Sequence, residues 1–214
     1  LFWREDSNSN GAVEPDELAF LTGFPNSQRS VWIDEAGRFT RDFSNAYQQM
    51  QKSDPAAADP AEQERHKLVI EELAQGRPTL VETNLSQASE ADKNLVEHLL
   101  NAARSIERLY ARQKGVFGMD ADIPDGDVAS LALFRRNQSP FCEAPKTEKN
   151  PACNALAKHP ARVVGLYPAD IQKDPKFCDT LAKARNAKQL MDHFSTVVVG
   201  DTAGGYEAQP YTEV

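Results

Sequence analysis

Apolar residues recur at helical spacing through most of the chain, and a strand-like pattern around a glycine-rich turn lies near its end. Within residues 38–52 the apolar stripe consists of Phe39, Phe43, Ala46, Tyr47 and Met50. The longest stripe lies in residues 89–114 and consists of Leu95, Leu99, Ala102, Ile106 and Leu109. Spacings of three and four are typical of an amphipathic helix. Shorter helical patterns follow after positions 60, 127 and 175.

Cap residues mark the ends of several of these helices. Asp59 followed by Pro60 is a typical N-cap and first-turn pair, and Ser89 is suited to cap the longest helix. Gly115 is a typical C-terminal stop for that helix. Residues 195–214 read instead as a strand, a glycine-rich turn and a second strand. The patterns therefore predict a mainly α fold: a multi-helix lobe with a C-terminal β-hairpin.

A two-stranded hairpin alone is marginally stable, so we expect it to belong to a larger sheet. Its partner would be the remainder of the same protein or a second chain. We divide the chain into an EF-hand-like segment (1–35), a helical lobe (36–195) and the hairpin (196–214), which leads to a part not in this chain. Both ends read as cut, which is typical of a processed piece of a longer protein.

Composition narrows the class of protein. The net charge of −8 and the sequence pI of about 5.1 argue against nucleic-acid binding, which needs a basic surface. No apolar run approaches the roughly 20 residues of a membrane span, and the first residues do not resemble a signal peptide. We expect a globular chain with no nucleic-acid partner and no membrane span.

The stretch from residue 6 to residue 17 matches the calcium loop of an EF-hand. Such loops supply oxygen ligands from positions 1, 3, 5, 7, 9 and 12 and have glycine at position 6. The ligand positions here hold Asp6, Asn8, Asn10, Ala12, Glu14 and Glu17, and Gly11 fills position 6. Ala12 would contribute its backbone carbonyl. Glu17 can bind with both carboxylate oxygens, which favours calcium over magnesium.

The alternative is a polar turn that caps the following helix, but it accounts for neither Glu17 nor Val13 at the apolar anchor position. Two of the first three side-chain ligands are amides, so we expect weak affinity, with Kd of roughly 10⁻⁵ to 10⁻³ M. A site of that strength fills outside the cytoplasm, where calcium is millimolar. Because no second loop fits, we interpret it as structural rather than as a switch.

Three cysteines are present, at positions 142, 153 and 178. Cys142 and Cys153 flank a polar loop, and a disulfide between them would contribute about 3 kcal/mol by loop entropy. Cys178 would then be left over or would pair outside the chain. The alternative is three buried free thiols. No pair of cysteines has zinc-site spacing.

Catalytic motifs are not found in the sequence. It contains no H-E-x-x-H, G-x-S-x-G or phosphate-binding glycine motif. His66 and Glu71 are five apart, which is poor ligand spacing, so we expect His66 to be a surface or partly buried side chain. Arg135-Arg136 could bind a carboxylate but reads as a solvated or salt-bridged pair. Tyr206 and Tyr211 flank the second strand; they are candidates for a substrate edge or for ordinary packing. We therefore predict no catalytic residues in this chain.

Several later segments look familiar. The segments "EELAQGRPTLVETNLS", "VEHLLNAARSIERLYARQKG", "ALFRRNQSPFCEAP" and "GLYPADI" followed by "FSTVVVGDTAGGYEAQPYTEV" resemble bacterial extracytoplasmic proteins similar to the dipeptidyl peptidase III clan of zinc exopeptidases. The resemblance spans roughly residues 65–214. It implies the N-terminal part of a two-lobed protein, with "YEAQPY" near a peptide-binding cleft. Zinc would be held by a segment outside this chain, so no zinc ligand is carried over.

The leading hypothesis is the calcium-binding N-terminal portion of an extracytoplasmic metallopeptidase-like protein, either periplasmic, lipoprotein or secreted, with no complete active site of its own. The alternative is a non-enzymatic calcium-stabilised binding or scaffold module. A cytoplasmic calcium sensor is disfavoured by the single loop and the cysteines. Beyond the calcium, the implied partner is a peptide.

Overall fold

The computed structural model describes residues 10, 12, 14, 15, 29–52, 59–79, 83, 85–158, 160–201 and 205–213. Its helices are α1 (Arg29–Trp32), α2 (Arg41–Lys52), α3 (Pro60–Ala74), α4 (Glu90–Gln113), α5 (Val128–Asn137), α6 (Phe177–Ala182) and α7 (Ala187–Leu190). Short 3-10 turns lie at Met119–Asp122, Ile171–Lys173 and Tyr211–Glu213. The strands β1 (Ser195–Val199) and β2 (Tyr206–Pro210) pair antiparallel. The predicted mainly helical class with a C-terminal hairpin is confirmed.

Side-chain caps start the three longest helices that follow α2. The Asp59 side chain accepts a hydrogen bond from the Ala61 N–H, with Pro60 in the first turn. Ser89 and Asp127 accept from backbone N–H groups three residues further on, at the starts of α4 and α5. Each cap satisfies a donor that the helix itself leaves unpaired. The boundaries predicted from Asp59, Ser89 and Asp127 are therefore confirmed.

The chain groups into two compact units. The first unit contains the described parts of residues 1–88 and 118–160, and the second contains those of residues 89–117 and 161–214. The division predicted from sequence, with boundaries after residues 35 and 195, stays a prediction. Among the described residues, no helix is both long enough and apolar enough to cross a bilayer.

Helices α2, α3 and α5 form the core of the first unit. Their buried apolar side chains are Phe43, Ala46, Met50, Leu68, Val69, Leu73, Ala129, Ala132 and Leu133. The Phe39 and Phe43 rings stack with centroids 4.1 Å apart, which extends the core towards the start of α2. Cys142, Cys153 and Ala155 join the same cluster from the loop after α5. The core therefore includes a loop as well as helices, and Trp32 of α1 is buried in the same cluster.

The hairpin closes over α6 and α7 in the second unit. Leu181, Leu190 and Val197 are its buried centre, and Tyr206 packs against them. Val197 pairs with Ala208, and its N–H donates to the Leu166 carbonyl at 2.8 Å. Asn186 donates from its side chain to the Tyr206 carbonyl at 2.9 Å. These contacts fix the hairpin against the two short helices.

The end of α4 meets the loop at residue 165. The Gly165 N–H donates to the Gln113 carbonyl at 2.7 Å, and a Cβ at Gly165 would lie 1.8 Å from the Arg112 oxygen. Any side chain there would collide with backbone, so this close approach requires glycine. Gly115, with φ of +68°, turns the chain out of α4 as its position in the sequence predicts.

Candidate functional site

Half of the predicted calcium ligands fall on described residues: Asn10, Ala12 and Glu14. The Asn10 side-chain oxygen accepts from the Ala12 N–H at 2.7 Å, and its amide nitrogen donates to a Glu14 oxygen at 2.9 Å. The side chains at loop positions 5 and 9 thus lie on the same side of the turn, as a calcium loop needs. The same contacts occur in a polar Asx turn. The calcium site therefore stays a prediction.

The remaining calcium ligands, Asp6, Asn8 and Glu17, lie outside the described residues, as does Gly11. Ala12 lines a cleft of about 550 Å³ together with Ser30, Asp42 and Asn45. Ser30 belongs to α1, and Asp42 and Asn45 belong to α2. Ala12 therefore lies beside α1 and α2.

Glu72 on α3 is a fully buried carboxylate that receives hydrogen bonds from several groups. Its donors are the side chains of Arg136, Asn137 and Thr147 and the backbone N–H groups of Glu143 and Ala144. The Arg136 nitrogen lies 2.6 Å from the Glu72 oxygen, and the two backbone nitrogens lie 3.1 Å away. A buried ion is tolerated when it has an oppositely charged partner and its remaining lone pairs accept hydrogen bonds, as they do here. Glu72 thereby ties α3 to α5 and to the loop after it.

The environment of Glu72 keeps it ionised. Burial raises the pKa of this carboxyl, but the hydrogen bonds from Thr147, Asn137 and the Glu143 N–H, with the charge of Arg136, outweigh burial. The net pKa lies below its ordinary value. Because each of these contacts prefers the carboxylate over the acid, the charge itself is part of the fold.

The loop held by Glu72 is also closed by the Cys142–Cys153 disulfide, whose Cα atoms are 5.7 Å apart. This bond confirms the predicted pairing, and both cysteines are buried. The Ala155 N–H donates to the Pro140 carbonyl at 2.7 Å, just outside the bridge. Cys178 is a free, exposed cysteine. The loop is therefore held by a covalent bond at its base and by the Glu72 carboxylate of α3, which accepts hydrogen bonds from residues of the loop.

Glu72, Cys142 and Cys153 place ligand-type atoms within 4.8 Å of one another, which is close enough for them to share one metal ion. The sulfur atoms, however, are bonded to each other and offer no thiolate. The oxygens of Glu72 already accept hydrogen bonds from both the loop and α5. In this oxidised form the grouping does not fit a metal ion.

Arg65, seven residues before Glu72 on the same helix, is the centre of a second buried ionic network. Its guanidinium donates hydrogen bonds to the Asp127 carboxylate and the Ser130 hydroxyl, both at 2.9 Å, and to the Asn154 carbonyl at 2.8 Å. It also pairs with Glu62 in the first turn of α3. Burial lowers the pKa of Arg65, but its carboxylate partners raise it above the ordinary value. Arg65 therefore remains charged and joins α3, α5 and the end of the disulfide loop.

Asp127 faces both Arg65 and His66. Burial raises the pKa of this carboxyl, but the neighbouring His66 side chain and the hydrogen bonds from Ser130 and Arg65 lower it well below its usual range. The His66 Nε2 atom lies 3.5 Å from an Asp127 oxygen. Asp127 also accepts the Ser130 N–H as the N-cap of α5. One carboxylate thus serves as helix cap and as counter-ion.

Ser130, His66 and Asp127 have the residue types of a hydrolase triad, but their arrangement is structural. All three are buried, so a substrate has no path to the serine hydroxyl. That hydroxyl accepts a hydrogen bond from Arg65, which ties it into the buried ionic network. The cluster holds α3 against α5.

The structural role of these charged residues was not predicted from the sequence. Arg65 and Glu72 lie on the same face of α3 as Val69, because the spacing from 65 to 69 to 72 follows the helical period. That alignment with an apolar stripe was the available signal. His66 is buried rather than at the surface or only partly buried, while the salt-bridged alternative for Arg136 is confirmed.

The hairpin of the second unit borders a cleft of about 590 Å³. Its lining includes Lys188, Asp192, Ser195, Glu207 and Ala208. Tyr206 is half-buried against the α6–α7 core, and Tyr211 begins the final 3-10 turn. The substrate-edge role of Tyr206 and Tyr211 stays a prediction. The polar residues of the cleft carried no recognisable motif in the sequence.

Comparison of the chain with models of protein families, with curated proteins and with solved structures found no match. The resemblance to the dipeptidyl peptidase III clan therefore stays a hypothesis that rests on short segments of sequence.

Proposed function

We propose that this chain is an extracytoplasmic, calcium-stabilised scaffold module without a catalytic centre of its own. The observation that carries the proposal is the way the first unit uses its buried charges. Glu72 and Arg65 on α3 each contact both α5 and the chain after it, where a disulfide closes a loop, and Asp127 links α3 to the start of α5. Such an arrangement gives rigidity rather than reactive groups that a substrate can reach.

The disulfide supports a location outside the cytoplasm. Disulfides form and persist in oxidising compartments, whereas cytosolic thiols are kept reduced. A weak calcium loop is consistent with the same location, because calcium there is concentrated enough to fill it. The Asn10 and Glu14 side chains contact each other, and Ala12 between them lines a cleft with α1 and α2, so a cation bound by this loop would join the N-terminal segment to those helices.

Calcium is expected to raise the melting temperature of the purified chain, and a chelator is expected to reverse the effect. A ligand that binds only the folded state adds about 2.7 kcal/mol at 100 times its Kd. Glu17→Gln removes the bidentate ligand and is expected to abolish the shift. Scanning calorimetry with calcium, magnesium and chelator measures it.

Glu5→Gln is the matched control, since it makes the same chemical change at a carboxylate that directly precedes the loop and occupies no ligand position. Its melting temperature should respond to calcium as the unchanged protein does. Identical melting of the unchanged protein in calcium and in chelator would contradict the calcium proposal. An equal shift with magnesium would contradict the choice of calcium.

A second candidate function is the peptide-binding part of a metallopeptidase-like protein whose zinc lies on another segment or chain. The hairpin favours it, because its edge strand β2 borders a polar cleft. An extended peptide can add to a strand edge by backbone hydrogen bonds. Because the zinc would lie elsewhere, we expect that under this second candidate function too the present chain does not hydrolyse peptides.

A casein digest added to the isotopically labelled chain is expected to shift backbone amide NMR signals of β2 and of residues 186–195, while α2 signals remain unchanged. Mass spectrometry of the same mixture, with and without added zinc, is expected to find the peptides intact. Cleavage by the chain would overturn both candidates. Unchanged β2 signals would overturn the peptide-binding candidate alone.

A further inference from the structure

Helix α4 carries an apolar seam, which we define as Leu95, Leu99, Ala102, Ile106 and Leu109. Successive members are separated by four, three, four and three residues. The mean period of 3.5 is that of the a and d positions of a coiled coil, and it is shorter than the 3.6 of a free helix. The seam is therefore patterned for close packing against another helix.

The seam faces outwards. Leu95, Leu99 and Ile106 are 57%, 59% and 65% exposed, and none of the 24 residues of α4 is buried. Tyr110 beside the seam is also exposed. An exposed row of large aliphatic side chains costs free energy in water, and such continuous patches mark interaction surfaces. Helix α4 is thus an unusually long helix whose apolar face is mostly left uncovered by the described residues, with only Leu109 half-buried.

The charges of α4 indicate what covers it. The first half of the helix carries Glu90, Asp92 and Glu97 with one lysine, and the second half carries Arg104, Arg108 and Arg112 with one glutamate. The helix dipole has the opposite order, positive at the start and negative at the end. A second α4 in antiparallel orientation places acidic half beside basic half. A parallel copy would place like charges together.

We propose that α4 forms an antiparallel coiled coil with α4 of a second copy of this chain. In the register that aligns the two seams, Leu99 lies opposite Leu109 and Ala102 lies opposite Ile106. The small Ala102 side chain thus packs against the large Ile106 side chain. The two-fold axis then passes near residue 104, with Ala103 of each copy beside it. The interaction is independent of the calcium loop and of any peptide at the hairpin.

Sedimentation velocity of the full chain, from about 1 µM to about 100 µM, tests the dimer. We expect a monomer–dimer equilibrium. The double variant Leu99→Glu/Ile106→Glu introduces charges into the seam of both copies and should weaken dimerisation by about 100-fold or more. Leu100→Glu is the matched control, because Leu100 is an exposed leucine of the same helix outside the seam. It should leave the equilibrium within a few-fold.

Crosslinking tests the orientation. In a Cys178→Ser background, Ala103→Cys should give crosslinked dimers with a short bismaleimide, because the two copies of residue 103 meet near the axis. Leu95→Cys should give none, since the antiparallel register separates the two copies of residue 95 by about 27 Å. Circular dichroism of each variant checks that it is folded, which is expected because all substituted positions are exposed.

A chain that stays monomeric throughout this concentration range would overturn the proposal. A dimer that the Leu99→Glu/Ile106→Glu variant retains would also overturn it, because the contact would then lie elsewhere. Crosslinking through Leu95→Cys but not through Ala103→Cys would overturn the antiparallel orientation. A concentration-dependent dimer that only the seam variant loses, with crosslinking through residue 103, supports it.

Discussion

Replacing Glu72 by glutamine is expected to lower the free energy of unfolding by about 3 to 5 kcal/mol. Glutamine matches the shape but presents an amide group to donors that need an acceptor. It also leaves the Arg136 charge without its carboxylate partner. Urea unfolding at neutral pH, followed by circular dichroism, measures the loss.

Glu71→Gln provides the matched control for Glu72→Gln, because Glu71 is an exposed carboxylate one residue earlier on α3. Its effect should stay within about 0.5 kcal/mol. Equal effects of the two substitutions would contradict the structural role of Glu72. A loss confined to Glu72→Gln would distinguish its buried contacts from a general effect of charge on the helix.

The unchanged protein and Glu72→Gln are expected to differ in how their stability depends on pH. The pKa of Glu72 is lower in the folded protein than its ordinary value of 4.5. Its contribution to stability is therefore present above about pH 4.5 and is lost as the pH falls towards the folded-state pKa. Asp127, whose pKa is also lowered, acts in the same direction below its ordinary value of 3.8. Glu72→Gln should show a shallower fall in stability below pH 4.5 than the unchanged protein. A fall of the same steepness in both proteins would argue against this linkage.

Removing the disulfide with Cys142→Ala/Cys153→Ala is expected to lower the free energy of unfolding by about 2 to 5 kcal/mol. The bridge closes a short loop, with a sequence separation of 11 between its cysteines. Without it the unfolded chain gains freedom, and the packed sulfur atoms are lost from the core. Equilibrium unfolding of the purified variants gives the difference.

Cys178→Ser is the control for the disulfide variant, since Cys178 is exposed and unbridged. It should change stability by less than about 0.5 kcal/mol. The donors Glu143, Ala144 and Thr147 lie inside the bridged loop, so the disulfide and Glu72 substitutions should not add independently. A coupling of about 0.5 to 3 kcal/mol is expected for such neighbours. Simple additivity would show that the loop keeps its shape without the bridge.

Local signals account for the parts of the fold that were predicted well. Asp59 with Pro60, Ser89 and Asp127 start helices because a short polar side chain can satisfy the first free N–H groups without distant contacts. The hairpin was predicted from strand residues flanking a glycine-rich turn, which is likewise a short-range pattern. Cys142 and Cys153 were paired because they flank one polar loop.

The charged core could not be predicted in the same way. Arg65 and Glu72 resemble ordinary surface residues of a helix until Asp127, Ser130 and the loop after Cys142 are brought to them. Their contacts span sequence separations of more than 60 residues. Helical periodicity placed them on the apolar face, but only their partners make burial of the charge tolerable.

The sequence alone determined the mainly helical class, the starts of α3, α4 and α5 and the hairpin, and it favoured the pairing of Cys142 with Cys153 over three free thiols, because each depends on neighbouring residues or on one short loop. Only the tertiary structure decided that Glu72 and Arg65 are buried structural ions and that the apolar seam of α4 faces outwards. Burial depends on which distant surfaces meet, and the period of a helix describes a face without naming its partner.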